Sequence, residues 1–322
     1  MTQPTSNAGD WRTAAKLITR IESGDASVVA ELKTMYINGP RAAVLGITGP
    51  PGAGKSTLVD HLISNYRSRG ERVAVLAVDP SSPFTGGAIL GDRVRMSRHN
   101  TDAGVFIRSM AARGRLGGLS GATGDAITVL EATGVEHVLV ETVGVGQSEV
   151  EILRHAHTVL IVQTPAGGDA VQAVKAGLLE VGDVFAVNKA DIAGADRTVN
   201  ALRESVEFRY GRHGDGNWRP PVLKTQASEG TGISELIAAI DAHRRHFEAH
   251  PDQLARKLKA QARALLIERL ADAFRARYGL AEGSEKRFEF WLDELVARRT
   301  DPFTAVANLL DAEPPRLRPS DS

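Results

Sequence analysis

The chain reads as short apolar runs alternating with stretches of helical spacing. Runs rich in β-branched residues lie at Ala42–Thr48, Arg72–Val78, Val105–Ser109, His137–Thr142, Thr158–Gln163, Asp183–Val187 and Val222–Thr225. Several are apolar at every position, without the alternation of a strand that has one face in water. That pattern predicts strands buried on both faces of a parallel sheet. Between them, Lys55–Arg69, Ala170–Glu180 and Ile233–Phe247 carry helical periodicity. Strand–helix–strand repetition predicts an α/β fold with a mostly parallel sheet.

The two ends differ from this middle. Residues 11–37 predict two short helices, with Leu17, Ile18 and Ile21, then Val28, Leu32 and Met35, as apolar positions. Residues 252–312 predict helix throughout. There Leu254, Leu258, Leu265, Leu266, Leu270 and Phe274 recur at helical spacing with Lys and Arg between them. Such a face either packs on its own domain or forms a dimerisation arm. The tail Glu313–Ser322 is Pro-rich and polar, and is expected to be loose.

Composition narrows the function classes. In 322 residues, 39 Lys and Arg balance 39 Asp and Glu, so the formal net charge is zero. A general nucleic-acid binder carries a basic excess, and none exists here. Hydrophobic residues at 42% and charged residues at 24% place the chain among folded proteins rather than disordered ones. Aromatics are only 5%, so the core must rest on Ala, Val, Leu and Ile. With no cysteine, disulfides, Cys-ligated zinc, iron–sulfur clusters and thiol nucleophiles are excluded. The N-terminal MTQPTSNAGDW has neither the basic nor the apolar region of a secretory signal. No apolar run approaches the roughly 18 residues that span a bilayer. A cytoplasmic protein that binds neither membrane nor nucleic acid is expected.

The strongest chemical signal is Gly49-Pro-Pro-Gly52-Ala53-Gly54-Lys55-Ser56, which matches G-x-x-x-x-G-K-[ST]. It follows an apolar run and opens a helical one, as the chemistry requires. The glycines let backbone N–H groups surround phosphate oxygens, and the helix N-terminus adds partial positive charge. Residues Gly52–Thr57 would cradle the phosphates. Lys55 would reach the β- and γ-phosphates and stabilise charge in the transition state, and the Ser56 hydroxyl would ligate Mg²⁺. The base is addressed by Asn188-Lys189-Ala190-Asp191, directly after the run Asp183–Val187. A carboxylate at Asp191 accepts hydrogen bonds from guanine N1–H and the 2-amino group, donors that adenine lacks. Ala227, in Lys224-Thr225-Gln226-Ala227, stands where a backbone N–H meets guanine O6.

Acids at strand ends complete the picture. Glu141 ends the run His137–Thr142, where Asp-x-x-Gly is the usual GTPase pattern. It would hold Mg²⁺ through water, and Gly144 would offer its N–H to the γ-phosphate. Asp79 and Asp92 are further Mg²⁺ candidates, with a helix cap or turn as the plain alternative for each. Asp92 is also the candidate for placing the attacking water. Val145 occupies the place where many GTPases have a water-orienting Gln, and Gln147 lies two residues on. Slow intrinsic hydrolysis, accelerated by a partner or by rearrangement, is expected. The chain therefore divides into a helical arm at 1–40, a P-loop domain at 41–250, a helical segment at 251–312 and a tail at 313–322.

Taken together, GPPGAGKST, VDPSSPFTGGAILGDRVRM, FIRSMAARGRLGGLSGAT, ETVGVGQSE and NKAD, in this order, resemble the MeaB/ArgK family of P-loop GTPases, which includes the human methylmalonic aciduria type A protein. The family sits in the SIMIBI class, marked by Glu at the switch strand. The resemblance covers roughly residues 10–310. It implies a homodimeric GTPase, joined through the C-terminal helices, with Mg²⁺ and GTP or GDP bound. It implies a chaperone for adenosylcobalamin-dependent methylmalonyl-CoA mutase that gates cofactor delivery from the adenosyltransferase and protects the mutase or helps to eject damaged cofactor. It further implies that Gln172 and Lys175, in Pro165–Lys175 and in line with Asp169, move toward the nucleotide when the mutase binds. The family's mitochondrial members carry a transit peptide, and this chain opens almost at the helical arm, which also points to the cytoplasm.

Three other readings stay open at this point, one of them a nucleotide-gated binding module whose turnover is incidental, which a mutase-stimulated rate would separate from the chaperone. Nickel or cobalt metallochaperones share the Glu switch. They carry Cys or His-rich motifs; His155 and His157, and the set His243, His246 and His250, are the candidate metal ligands here, although their separation and the absence of Cys favour solvated helix faces. A P-loop kinase or ATPase of the amino-acid transport type would need an adenine site, against which Asn188–Asp191 argues. Arg108 and Arg113 are candidates for an arginine finger.

Overall fold

The computed structural model describes residues 11–79, 97–99, 101–111, 118–142, 154–165, 178–211, 217–277 and 286–311. Two N-terminal helices, α1 (Trp11–Glu22) and α2 (Val29–Asn38), precede strand β1 (Ala43–Thr48). Then come α3 (Lys55–Ser68), β2 (Val73–Asp79), β3 (Val105–Ala111), α4 (Gly118–Ala132), β4 (His137–Thr142) and β5 (Thr158–Gln163). A short α5 (Leu178–Val181), β6 (Val184–Val187), α6 (Ala195–Tyr210), β7 (Val222–Lys224) and α7 (Ile233–Ala249) follow. The chain ends in α8 (Pro251–Arg277), α9 (Lys286–Val296) and α10 (Pro302–Asp311). Of the expected helix Ala170–Glu180, residues before 178 lie outside the described residues.

The seven strands form one sheet in the order β3-β2-β4-β1-β5-β6-β7, and every pairing is parallel. Helices cover both faces, which is why the strands are apolar at consecutive positions. In β5, Val159 and Ile161 join a cluster with residues of α1, α4 and α6. Leu160 and Val162 point the other way, into a cluster with α3 and α7. Because all neighbours run parallel, their C-terminal ends share one edge. In open α/β sheets that edge is where ligands bind.

The N-terminal helices belong to this core. On α1, Ala14, Leu17, Ile18 and Ile21 are buried at helical spacing against the sheet's α4 side. Full burial of a Leu or Ile side chain contributes about 1.5–3 kcal/mol. Trp11 stacks on Phe106 at 5.2 Å between ring centres and donates from Nε1 to the Ala103 carbonyl at 2.8 Å. Arg108, on β3, is ion-paired with buried Glu22 and donates to the Ala15 carbonyl at 3.1 Å and to Thr19 Oγ1 at 3.0 Å. The suggested arginine-finger role for Arg108 is thereby corrected. Its guanidinium fastens α1 to the sheet, and the other candidate, Arg113, lies outside the described residues.

The chain divides into two compact units, Met1–Gln261 and Ala262–Ser322. The boundary falls about three turns later than the one expected at residue 250. Two side chains of α8 explain the shift. Lys257 Nζ donates to the His157 carbonyl at 2.7 Å and to Asp183 Oδ2 at 2.9 Å, and Gln261 Nε2 donates to the Ala156 carbonyl at 2.8 Å. The first turns of α8 are thus fastened to the sheet. The second unit is helical, and among its described residues Ala305 alone is buried. No helix among the described residues is long and apolar enough to cross a membrane.

Candidate nucleotide site

The turn from β1 into α3 has the backbone that a phosphate cradle needs. Gly49 has φ 154°, and a Cβ there would lie 2.0 Å from the Val162 carbonyl oxygen. Gly54 caps α3 with φ 88°, and a Cβ there would meet Asn188 Nδ2 at 2.3 Å. Side chains at these two positions would displace the loop from β5 and from Asn188. Between them, Gly52 also has a positive φ. Ala53 is fully buried, and Thr57 faces solvent.

Lys55 is buried, and its Nζ donates to the Gly49 carbonyl at 2.8 Å and the Pro50 carbonyl at 3.1 Å. The ammonium thus lies across the loop whose N–H groups would bind phosphate. Ser56, the next residue, donates from Oγ to Glu141 Oε1 at 2.8 Å, with both side chains buried. Glu141 is placed by sheet register, opposite Ile47 of β1 and Ala77 of β2. A hydroxyl and a carboxylate in direct contact are hard oxygen donors, the set a divalent cation such as Mg²⁺ takes. Asp79 is the last residue of β2, two beyond Ala77, so its backbone stands at the same edge. Asp92, Gly144, Gln172 and Lys175 lie outside the described residues, as do Val145, Gln147 and Asp169.

The base-reading segment follows β6. Asn188 is buried, and its amide is committed to protein partners. Nδ2 donates to the Ala53 carbonyl at 2.7 Å, while Oδ1 accepts from Thr225 Oγ1 at 3.1 Å and from Ala227 N–H at 3.0 Å. Asn188 therefore ties the phosphate loop to the loop after β7. Lys189 takes the left-handed φ of 58°, and both Lys189 and Asp191 are exposed at the turn, where a base edge could be met. Ala227 departs from expectation. Its N–H goes to Asn188 rather than outward, and the residue is buried.

Three further groups at this edge belong to none of the motifs singled out in the sequence. His61 of α3 reaches the Ala227 carbonyl from Nε2 at 2.7 Å. Thr142 Oγ1 donates to Thr48 Oγ1 at 2.9 Å between the ends of β4 and β1. Gln163, at the end of β5, is buried with no partner for its Nε2. The last two could have been found by asking which polar residues end apolar strands. His61 shows no periodicity or motif that would single it out.

The histidines raised as metal ligands sit elsewhere, toward the N-terminal ends of the strands. No group of three or more His, Asp or Glu among the described residues is placed to hold a metal. The expectation of solvated helix faces is corrected for His243. It is buried, packs its ring on Trp218 at 4.8 Å between centres, and hydrogen-bonds Thr158 Oγ1 through Nδ1 at 2.8 Å. His157 Nδ1 accepts the Val44 N–H at 3.1 Å. Burial, helped by the nearby Lys257 ammonium, pushes both imidazoles down to about 4.

The chain matches the family described as methylmalonyl-CoA mutase-associated GTPase MeaB over residues 14–279. A Pyrococcus horikoshii protein named as a GTPase is 45% identical over 303 residues, which is 94% of each chain. The mouse protein named methylmalonic aciduria type A homolog, mitochondrial, is 39% identical over 196 residues, 60% of this chain and 46% of its own. A crystal structure described as an LAO/AO transport system kinase superposes with a TM-score of 0.62 at 25% identity, covering 94% of this chain and 98% of its own.

Proposed function

The chain belongs to the MeaB family of P-loop GTPases, and from that premise we propose that it hydrolyses GTP to GDP and phosphate as a chaperone of an adenosylcobalamin-dependent acyl-CoA mutase, methylmalonyl-CoA mutase first among them. The observation that carries the reading is the buried contact of Ser56 with Glu141, next to Lys55 on the glycine-bounded loop. Loop N–H groups and the first turn of α3 bind the β- and γ-phosphates. Lys55 exchanges its loop carbonyls for phosphate oxygens and neutralises charge as the γ-phosphoryl group transfers to water. The bond from the γ-phosphorus to the bridging oxygen breaks, GDP leaves, and the water's proton passes to phosphate. A Mg²⁺ ion held by Ser56 and, through water, by Glu141 and Asp79 would supply further charge neutralisation. Asp191 selects guanine, and Asn188 holds the turn that presents it. Asp92 is assigned to placing the water, Gly144 to sensing the γ-phosphate, and Gln172 and Lys175 to relaying mutase binding.

Further parts of this reading are a homodimer joined through the C-terminal helices, the adenosyltransferase as a second partner, and a cytoplasmic place of work. The family's association with methylmalonyl-CoA mutase supports the client. The test is GTP hydrolysis with and without a purified adenosylcobalamin-dependent mutase, with ATP as control. Acceleration specific to GTP and to the mutase is the expected result. GTP turnover indifferent to the mutase rejects the client. Preference for ATP rejects the guanine reading and favours the kinase activity by which the LAO/AO structure is described.

A further inference from the structure

The loop after β7 is gripped at one residue from two directions. Ala227 gives its N–H to Asn188 Oδ1 at 3.0 Å, and its carbonyl lies 2.7 Å from His61 Nε2. A carbonyl oxygen can only accept, so Nε2 carries the proton and His61 is the donor. His61 stands on α3, six residues after Lys55, on the helix whose first turn carries Lys55 and Ser56. The hydrogen bonds close a circuit. It runs from the Ala53 carbonyl to Asn188, from Asn188 to Ala227, from Ala227 to His61, and back along α3 to Ala53. Ala53, Asn188 and Ala227 are all buried.

The loop beyond Ala227 is closed upon itself. Gln226 and Thr231 exchange backbone bonds, N–H to carbonyl at 2.9 Å and 3.2 Å, and Glu229 N–H reaches the Gln226 carbonyl at 3.0 Å. It is thus held together as a unit: Thr225 at its start is bonded to Val187, Ala190 and Asn188, and Ala227 adds the hold on α3. Asn188 fixes it relative to the base-reading turn. His61 alone in this circuit fixes it relative to the helix that holds the phosphates. We propose that His61 is a positioning residue for base selection. Through the Ala227 carbonyl it keeps the base-side loop in register with the phosphate cradle. A nucleotide seated by its phosphates then meets Asp191, on the turn that Asn188 ties to Ala227, at the right depth. The proposal rests on the guanine reading above.

The consequence is selective. Loss of the His61 hydrogen bond should loosen contacts to the base and leave contacts to the phosphates intact. The experiment is equilibrium titration of the full chain with fluorescent GDP and ADP analogues, for the unsubstituted protein, His61→Ala, His61→Gln and His61→Asn, each with a melting curve. A glutamine amide can stand where Nε2 stands, whereas that of asparagine falls short. GDP should bind about three- to tenfold more weakly to His61→Ala and His61→Asn, the range of one hydrogen bond. ADP affinity should be unchanged, and His61→Gln should recover most of the loss. Equal weakening of GDP and ADP would mean a general packing role and would overturn the proposal, as would an unchanged GDP affinity. If His61→Ala fails to fold, the comparison of His61→Gln with His61→Asn decides in the same way. If the unsubstituted chain itself does not prefer GDP to ADP, the guanine reading fails first, and that result is separate from anything the variants do.

Discussion

Asn188 and Asp191 lie three residues apart in one motif, yet their surroundings give them different work. Asn188 is buried and holds the Ala53 carbonyl, the Thr225 hydroxyl and the Ala227 N–H. Asp191 is exposed at the turn. Removing a buried partner leaves unsatisfied groups that cost about 1–3 kcal/mol each, whereas an exposed substitution usually stays within about 0.5 kcal/mol. Asn188→Ala should therefore lower the melting temperature clearly and weaken every nucleotide. Asp191→Asn should melt as the unsubstituted protein does. It should weaken GDP by roughly ten- to a hundredfold, because two charge-assisted hydrogen bonds are lost. Xanthosine diphosphate, whose base offers an acceptor to the new amide, should lose far less. Calorimetric titration with both nucleotides, beside melting curves, decides. Equal loss for the two bases would remove Asp191 from base reading.

At the scale of elements, the strands were legible because burial on both faces writes an unbroken apolar run. His137–Thr142 and Thr158–Gln163 fall where the runs placed them, and β1 differs only by Ala42. What joins the elements was not legible. Nothing local marks Ala227 as the partner of both Asn188 and His61, and Arg108 within an apolar strand gives no sign of Glu22, 86 residues earlier. The N-terminal ends of β1 and β5 show the same kind of tertiary junction, and it has a pH signature. His157 accepts the Val44 N–H, and His243 is wedged between Thr158 and Trp218, with Lys257 nearby. Both sit at about 4, below the ordinary 6.5, through burial first and the Lys257 charge second for His157. Between about pH 6.5 and 4 the unfolded chain takes up protons that the folded chain refuses. Stability is therefore lost as pH falls through that window, by up to about 1.4 kcal/mol per pH unit for each histidine. His157→Asn keeps an acceptor for Val44 and removes one titration. Its melting temperature should fall less steeply over this range, and parallel curves for the two proteins would reject the assignment.

At the scale of the whole molecule, the two units differ in how they bury apolar surface. The first encloses two clusters, one on each face of the sheet. The second leaves large apolar side chains in water. Leu266 is 61% exposed, Ile267 57% and Leu270 61% on α8, Phe290 54% on α9, and Phe303 87% and Val306 51% on α10. Single exposed apolar residues are ordinary, but a set of this size within one short helical unit fits the proposed association. At about 25 cal/mol per Å², leaving such a set in water forgoes several kcal/mol that self-association would recover. Leu266 and Leu270 are one helical turn apart, so α8 can present them side by side to a second copy. Hence the proposed homodimer should depend on them. Sedimentation of the full chain should give a dimer at micromolar concentration, and Leu266→Glu with Leu270→Glu should give a monomer. Nucleotide binding should persist in that variant, since the phosphate loop, Asn188 and Asp191 all belong to the first unit. A variant that stays dimeric would place the interface elsewhere, and an unsubstituted chain that sediments as a monomer would leave these side chains to a different partner.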